Sequence, residues 1–590
     1  MGISTVVLRL APDGGEATDV PLIFEACKNG TDRYAVTLDT ADLCQGASDG
    51  LFFYEFLFLR GFDTLFSDSI NNVDFRLSER SGERFRLLVY AADYRTPAWF
   101  RGGIMYHVFL DRFCRGAGPV AWRAGAKEDS DWQNGTPQYA SRAGAPVANN
   151  VFFGGNLWGV IEQLDYLQSL GVTVLYLSPV FKAASNHRYD TADYETVDAL
   201  LGGDAALDAL IEAAHARRMR VILDGVFNHT GDDSRYFNRR GTYPETGAYQ
   251  SPSSPYADWF SFRTYPDDYE AWWGIEIMPR LQQANPACRA YFTGRGGIAE
   301  CWLLRGADGW RLDVADELPD VFLDELRTVA KEATQGEALL LGEVWENAVD
   351  KIAYGARRRY FRGGQLDSVM NYPFRNAVIA LILEGDTAFF YDTLTALYGT
   401  YPKFVSDSLM NLLGTHDTER ILTVLGDEGA GEGLENPELA VLHLTPAQRA
   451  TAVQRLKLAA TLQFTVFGVP SVYYGDEAGV EGYHDPFCRR PFPWGREDAE
   501  LLAHYRTLGR IRRENTVFGE GDFRFTLCEQ DLIAYTRTGS NGEEILVAAN
   551  VGREPRMLSF EGERLELLSN TVVRSAVSIP PMSAVLLKKQ

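Results

Sequence analysis

Eight apolar runs of strand length, interleaved with stretches of helical spacing, limit this chain to a small set of folds. The runs are 104–109, 172–178, 220–227, 309–314, 338–343, 366–371, 408–414 and 465–474. Helix-period stretches fall at 158–170, 205–218, 321–333, 377–383 and 447–463. Near-continuous apolar strands are buried on both faces, as in a parallel sheet covered by helices. Eight of them alternating with helices predict an α/β fold, a (β/α)8 TIM barrel with insertions.

The flanks read differently. Residues 1–95 carry short alternating runs (5–10, 34–38, 51–59, 85–90) between Gly/Asp/Asn-rich turns, which predicts an N-terminal β-sandwich domain. Runs at 532–538, 544–551, 564–568 and 584–587 predict a C-terminal β-domain over 511–590. The barrel domain is then 96–510. It holds an inserted loop domain, 229–290, after the third strand, rich in Tyr, Trp, Pro, Gly and Asp and without period. A loop of that length is usually functional. Of its rings Tyr236, Phe237, Tyr256, Trp259, Phe260, Trp272 and Trp273, most are expected in a local core and at least two along a cleft.

Charge and cysteine usage narrow the partners. The net charge of −23 argues against nucleic acid, whose phosphates need basic partners. It also disfavours an anionic membrane and suits a neutral substrate. The seven cysteines are scattered without a CxxC pair, which disfavours a zinc site or a disulfide framework and fits a reducing compartment. No apolar run approaches the ~20 residues of a membrane span. No basic-then-apolar leader opens the chain, so the expected location is the cytoplasm.

Ionisable residues gather at the ends of the predicted strands. The third ends in Asp224-Gly225-Val226-Phe227-Asn228-His229. The fourth ends in Arg311-Leu312-Asp313-Val314-Ala315-Asp316-Glu317, and the fifth in Glu343-Val344-Trp345. The seventh leads into Thr415-His416-Asp417-Thr418-Glu419-Arg420. In a closed barrel these ends meet at one mouth, where the active sites of such barrels lie. Three carboxylates without a metal triad suggest cleavage of a glycosidic bond, with one carboxyl neutral and another ionised. Arg311 and Asp313 share a strand face. The cation is expected to keep Asp313 ionised as the nucleophile. Glu343, with no cation nearby in sequence, is the expected proton donor.

These motifs, in order, resemble the α-amylase superfamily of glycoside hydrolases: 224–229, 309–317, 342–345 and 415–420. Met278-Pro279-Arg280-Leu281-Gln282 is similar to a fifth motif of the neopullulanase, cyclomaltodextrinase and maltogenic amylase branch. His187-Arg188-Tyr189-Asp190-Thr191-Ala192-Asp193-Tyr194, 468–477 and 485–494 also resemble family segments. The resemblance covers residues 100–495. It implies a retaining mechanism with Asp313 as nucleophile, Glu343 as acid/base and Asp417 as transition-state stabiliser. It implies that Arg311, His229 and His416 hold the sugar at the cleavage point, that Asp224 supports that pocket and that Tyr189 stacks on the ring. The same motifs place His187, Glu317, Trp345 and Arg420 among the substrate-binding residues.

The implied substrates are α-1,4- and α-1,6-linked glucans: maltooligosaccharides, cyclodextrins, pullulan or starch. The implied assembly is a homodimer through the N-terminal β-domain. Asp316-Glu317 departs from the branch pattern, which often has Asn before the Glu, and that leaves bond preference open. The branch's calcium loop is degraded: 111–122 is poor in acidic ligands and Phe153-Gly154-Gly155-Asn156 has Asn156 in place of the acid. Calcium needs six to eight oxygens, several anionic, so that site is expected to be weak or absent and no cofactor to be required. Two alternatives stay open: an α-glucosidase or transglycosylase with a narrower site, and a non-catalytic carbohydrate-binding protein.

Overall fold

The structure, a computed structural model, describes residues 3–142 and 145–590. Its centre is a sheet of eight strands: β1 (Met105–Val108), β2 (Val174–Leu177), β3 (Arg220–Gly225), β4 (Gly309–Leu312), β5 (Leu339–Gly342), β6 (Ser368–Val369), β7 (Met410–Leu412) and β8 (Val469–Tyr473). Neighbours pair in parallel in the order β6-β5-β4-β3-β2-β1-β8-β7. A parallel bridge between Met370 and Met410 closes β6 onto β7. Each strand lies inside its predicted run, and the (β/α)8 barrel is observed.

Alternation along each strand sorts side chains into two layers. Met105, Val174, Tyr176, Ile222, Leu339, Leu341, Met410, Leu412 and Val469 pack together inside the barrel. The intervening Leu175, Leu177, Val221, Leu223, Trp310, Leu312 and Leu340 join the larger core beneath the helices. Gly309 faces β5 so closely that a Cβ there would lie 2.3 Å from the Leu339 carbonyl oxygen. Asp224 and Arg311 continue the inner row toward the C-terminal mouth and are register partners on β3 and β4.

Helix Asp320–Ala333 follows Pro319, has Asp320 in its first turn, and buries Phe322, Leu323, Leu326, Val329 and Ala330. That spacing gives one apolar stripe against the sheet. Helix Pro446–Thr465 starts at a capping box of Thr445 and Gln448 with Pro446 at its first position. The helix expected at 158–170 is instead two, Leu157–Glu162 and Leu164–Ser169. They break at Gln163, whose φ/ψ of −101°/7° is not helical. Helices Pro286–Thr293, Ile298–Leu304, Thr387–Thr400 and Ala499–Glu514 went unpredicted.

The N-terminal region is a six-stranded antiparallel sheet. Its strands run Thr18–Pro21, Thr5–Pro12, Gly50–Arg60, Asp63–Ser69 and Phe75–Ser78 in order, with Phe85–Val89 also on Gly50–Arg60. The strand expected at 34–38 is corrected: pairing stops in Thr31–Ala35. Val36 and Leu38 instead pack on Leu8, Leu10 and Phe52, so their alternation served packing without a ladder. The C-terminal region is a second six-stranded antiparallel sheet, from Asp522–Cys528 to Ser583–Lys589. Among the described residues no helix is long and apolar enough to cross a membrane.

Candidate active site

The C-terminal mouth of the barrel opens into a cavity of about 1150 Å³. His187, Tyr189, His229, Asp313, Glu317, Glu343, Trp345 and Asp417 line it. Eight of the twelve residues singled out from sequence therefore share one cavity. Strand geometry explains Asp313: β4 ends at Leu312, and Val314 turns left-handed (φ 41°), leaving Asp313 at the lip. Of the remaining four, Arg311, Asp224 and His416 sit directly beneath the lining. Arg420 does not belong to the cavity. It is fully buried, donating to the Cys488 carbonyl at 2.7 Å and pairing with Asp476 at 3.0 Å. Its place in the motif reflects support of the loop after β8.

Arg311 organises the floor. Its Nη1 donates to Asp224 Oδ1 and Asp313 Oδ1, both at 2.9 Å, and its Nη2 to Glu343 Oε2 at 2.8 Å. Val314 N–H also donates to Glu343 Oε2 at 2.9 Å, and Trp345 Nε1 to Glu343 Oε1 at 3.1 Å. No cation lies near Glu343 along the sequence, but the fold brings one to it. In sequence Arg311 is 32 residues away, but β4 and β5 are adjacent. Asp224 also accepts from Tyr176 and Tyr189 hydroxyls at 2.7 and 2.8 Å. Asp417 pairs with Arg489 at 3.3 Å, and His416 Nε2 lies 3.1 Å from it.

Burial raises the Asp313 carboxyl well above the ordinary range. Arg311 opposes that rise, while Glu343, Asp224 and Asp417 add to it. Asp224 and Asp417 are also raised by burial, against Arg311 in the first case and against Arg489 and Arg311 in the second. Arg311 pairs with Asp313 as its place on the strand predicts, but it is shared with Asp224 and Glu343. Asp313, Asp224 and Asp417, all raised by burial, retain a proton among them more readily than isolated acids. A group of this kind can supply one proton and still present an anionic oxygen.

The histidines are held neutral. Burial lowers His187 to about 3 and His229 to about 4, and it takes His416 well below its usual value. Among the described residues His229 Nε2 has no hydrogen-bond partner, although its ring lines the cavity and stacks 5.3 Å from Trp272. Such an orphan suits a ligand hydroxyl. Tyr189 lies parallel to His416, with centroids 4.9 Å apart.

Other lining residues escaped the sequence reading. Asp485 and Arg489 line the cavity and pair at 2.8 Å. They lie in the quoted segment 485–494, so the motif could have disclosed them. Tyr354 lines it from the loop after β5, where no pattern marks it. In the inserted loop Trp272 and Trp273 reach the cavity, whereas Tyr236, Phe237, Trp259 and Phe260 are buried in the core.

The loop that would hold calcium is built differently. Asp111 accepts from Arg112 Nε at 2.7 Å and from the N–H groups of Phe153 and Gly154. Asn156 caps a helix through Gly159 N–H at 2.9 Å. Arg115 occupies the carbonyls: its Nε donates to Phe153 and its Nη2 to Asp129, each at 2.5 Å. Among the described residues no group of three or more His, Cys, Asp or Glu could hold a metal. These residues do not fit a calcium ion.

Residues 107–518 match the family described as alpha amylase, catalytic domain. The amylopullulanase of Thermoanaerobacter thermohydrosulfuricus is 39% identical over 517 residues, 80% of this chain and 34% of that protein. The chain spans about a third of the length of the curated amylopullulanases it matches. A cyclomaltodextrinase of a Bacillus species is 35% identical over 473 residues, 78% of this chain and 74% of that one. A solved cyclomaltodextrinase structure is similar over 100% of this chain and 94% of its own, with a TM-score of 0.70 and 28% identity.

Proposed function

The chain belongs to the alpha-amylase family, and on that premise we propose that it is a retaining glycoside hydrolase acting on α-1,4- and α-1,6-linked glucans. The observation that carries this is the bridging of Asp313 and Glu343 by one buried guanidinium. A shared cation favours the close carboxyl spacing, about 5–5.5 Å, of a double displacement. The relatives' names favour starch-like substrates, and the aromatic walls and orphaned His229 nitrogen suit sugar rings and hydroxyls.

In the proposed reaction Asp313, with Oδ1 tied to Arg311, attacks the anomeric carbon through its other oxygen. Glu343 gives its proton to the departing glycosidic oxygen as the C1–O bond breaks. Water then loses a proton to Glu343 and attacks C1, and the Asp313 ester bond breaks. Asp417, fixed by Arg489 and His416, faces the positive charge that develops at C1. Tyr189 stacks on the ring being cleaved, and His187, His229 and Arg489 take its hydroxyls. The calcium loop works without metal, because Arg115 holds its carbonyls. The N-terminal domain exposes Phe24, Phe62 and Phe75, which favours the proposed homodimer; sedimentation tests it.

The deciding experiment combines the Asp313→Asn variant with product analysis on maltotriose, pullulan and β-cyclodextrin. Activity should fall by about 10³-fold or more, and the wild-type enzyme should release α-anomers. More than a few per cent residual activity, or a β-anomer as first product, refutes the assignment. Transfer products dominating over hydrolysis would favour the transglycosylase alternative. Glucan binding without turnover would favour a binding protein.

A further inference from the structure

The cavity has one wall that the barrel does not build alone. Between β5 and β6 a small hairpin pairs Ile352–Ala353 with Ala356–Arg357. Its turn holds Tyr354 and Gly355 at φ 51° and 77°, a conformation that a tyrosine adopts only under strain. Lys351, Ile352, Ala353 and Tyr354 face the cavity. Tyr354 is 70% exposed, and its hydroxyl donates to Glu317 Oε1. Opposite stands Trp273, 79% exposed and also at positive φ, 48°. Its Nε1 donates to the same Glu317 oxygen at 3.3 Å. Two strained, exposed rings from different loops thus hang on one carboxylate.

The hairpin is anchored at its base by the N-terminal β-domain of the same chain. Asp13 receives Arg357 with both oxygens, at 3.0 Å from Nε and 3.2 Å from Nη2. The same guanidinium lies 5.5 Å from the Phe53 ring of that domain. Arg86 pairs with Asp350, one residue before the cavity-lining segment. Ala91 N–H donates to the Arg362 carbonyl at 2.9 Å. On the barrel side the hairpin leans on Asp316, which accepts from Tyr360 at 2.5 Å and pairs with Lys351 at 3.2 Å. Both flanks of a strained turn are therefore clamped, one of them by a domain far from the bond-breaking groups.

We propose that the N-terminal domain, through Asp13–Arg357 and Arg86–Asp350, positions Tyr354 against Trp273 as an aromatic slot for the glucosyl unit beyond the bond being cleaved. Asp13 and Arg86 are positioning residues, acting through the hairpin and touching no substrate. The slot takes the apolar face of a pyranose ring, whether that ring is leaving or arriving as an acceptor. Strain at Tyr354 and Trp273 persists only while the surroundings hold it, so loosening the base lets the slot relax. This inference rests on the α-glucan reading proposed above.

The test compares wild-type, Asp13→Asn, Arg86→Gln, Tyr354→Ala and the Asp13→Asn/Tyr354→Ala double variant, full length, on maltotriose. Asp13→Asn and Arg86→Gln should each raise KM about three- to tenfold, the range expected when an aromatic contact is lost, with kcat within about twofold. The ratio of transfer to hydrolysis should shift with KM. In the double variant Asp13→Asn should add nothing to Tyr354→Ala, because both act through one element. The charge-swapped pair Asp13→Arg/Arg357→Asp should recover the wild-type KM. Unchanged KM and transfer ratio in Asp13→Asn, or full additivity with Tyr354→Ala, overturns the inference while leaving the hydrolase reading intact. A wild-type chain that turns over no α-glucan fails the hydrolase reading itself, and this inference with it.

Discussion

Replacing Arg115 by Ala asks whether a side chain does the work of a metal. The guanidinium makes short bonds to the Phe153 and Asp129 carbonyls and a longer one to Ser130 at 3.4 Å. It also lies 5.3 Å from the Trp132 ring. A buried hydrogen bond from a charged donor contributes about 1.5–3 kcal/mol, a net ordinary one about 1. The Arg115 side chain is 34% exposed, so the lower figure applies to each short bond. The ring contact adds about 0.5 kcal/mol. The sum is about 2–3 kcal/mol. Melting temperature moves by about 2–4 °C per kcal/mol in domains of 150–250 residues and less in larger ones, so the fall should be on the order of 3–6 °C. Scanning calorimetry with EDTA and with added calcium reads it. The wild type should change by under about 1 °C with either, because Arg115 already fills the carbonyls that calcium would use and a ligand shifts the midpoint only by binding. The reasoning is refuted if EDTA lowers the wild-type midpoint by several degrees and calcium restores it, or if Arg115→Ala melts like the wild type.

Asp224→Asn removes one of the three carboxylates that Arg311 holds and the charged acceptor of the Tyr176 and Tyr189 hydroxyls; Arg311 keeps two partners, so the cost should be about 1–3 kcal/mol, that of weakened buried hydrogen bonds, and an unchanged midpoint would contradict the pairing. Tyr189→Phe keeps the ring stacked on His416 but removes the bond to Asp224; kcat/KM should fall about tenfold, as for one lost hydrogen bond to a charged group, with the cavity still able to bind maltotriose by calorimetry. His504, away from the site, is lowered by burial to about 4, with its bond to the Lys457 carbonyl opposing that. Its folded value lies below the unfolded one of 6.5. The unfolded chain therefore takes the proton first as pH falls, and stability is lost between pH 6.5 and about 4. His504→Gln should flatten the fall in melting temperature across that window; an equally steep fall would show that His504 does not contribute.

The barrel was legible because its strands are buried on both sides and leave unbroken apolar runs. All eight strands fall within those runs, and their ends delivered Asp313, Glu343, Asp417 and His229 to one cavity. Pairing across strands was less legible. Nothing in sequence says that Arg311 on β4 reaches Glu343 on β5, because that contact comes from lateral adjacency and not from spacing along the chain. For the same reason the sharing of Arg311 among Asp313, Asp224 and Glu343 could not be read along the chain. Arg420 shows the reverse limit: a residue can sit in a site-forming motif and serve the loop behind it. Short helices such as Ile298–Leu304 and the Tyr354 hairpin left no period, since a few residues held by tertiary contacts need none. Val36 and Leu38 carried alternation for packing alone.

The placement of Asp224 and Arg311 as register partners also bears on how the chain finds its fold. A strand displaced by one residue turns its inner row outward. Here such a slip of β3 or β4 would drive an unpaired carboxylate or guanidinium into the apolar layer beneath the helices, where isolated charge is strongly disfavoured. Wrong alignments of these two strands are therefore penalised by the same groups that the native alignment neutralises. The charges at the mouth act as a proofreading device for assembly, guarding the barrel's pairing before any substrate arrives.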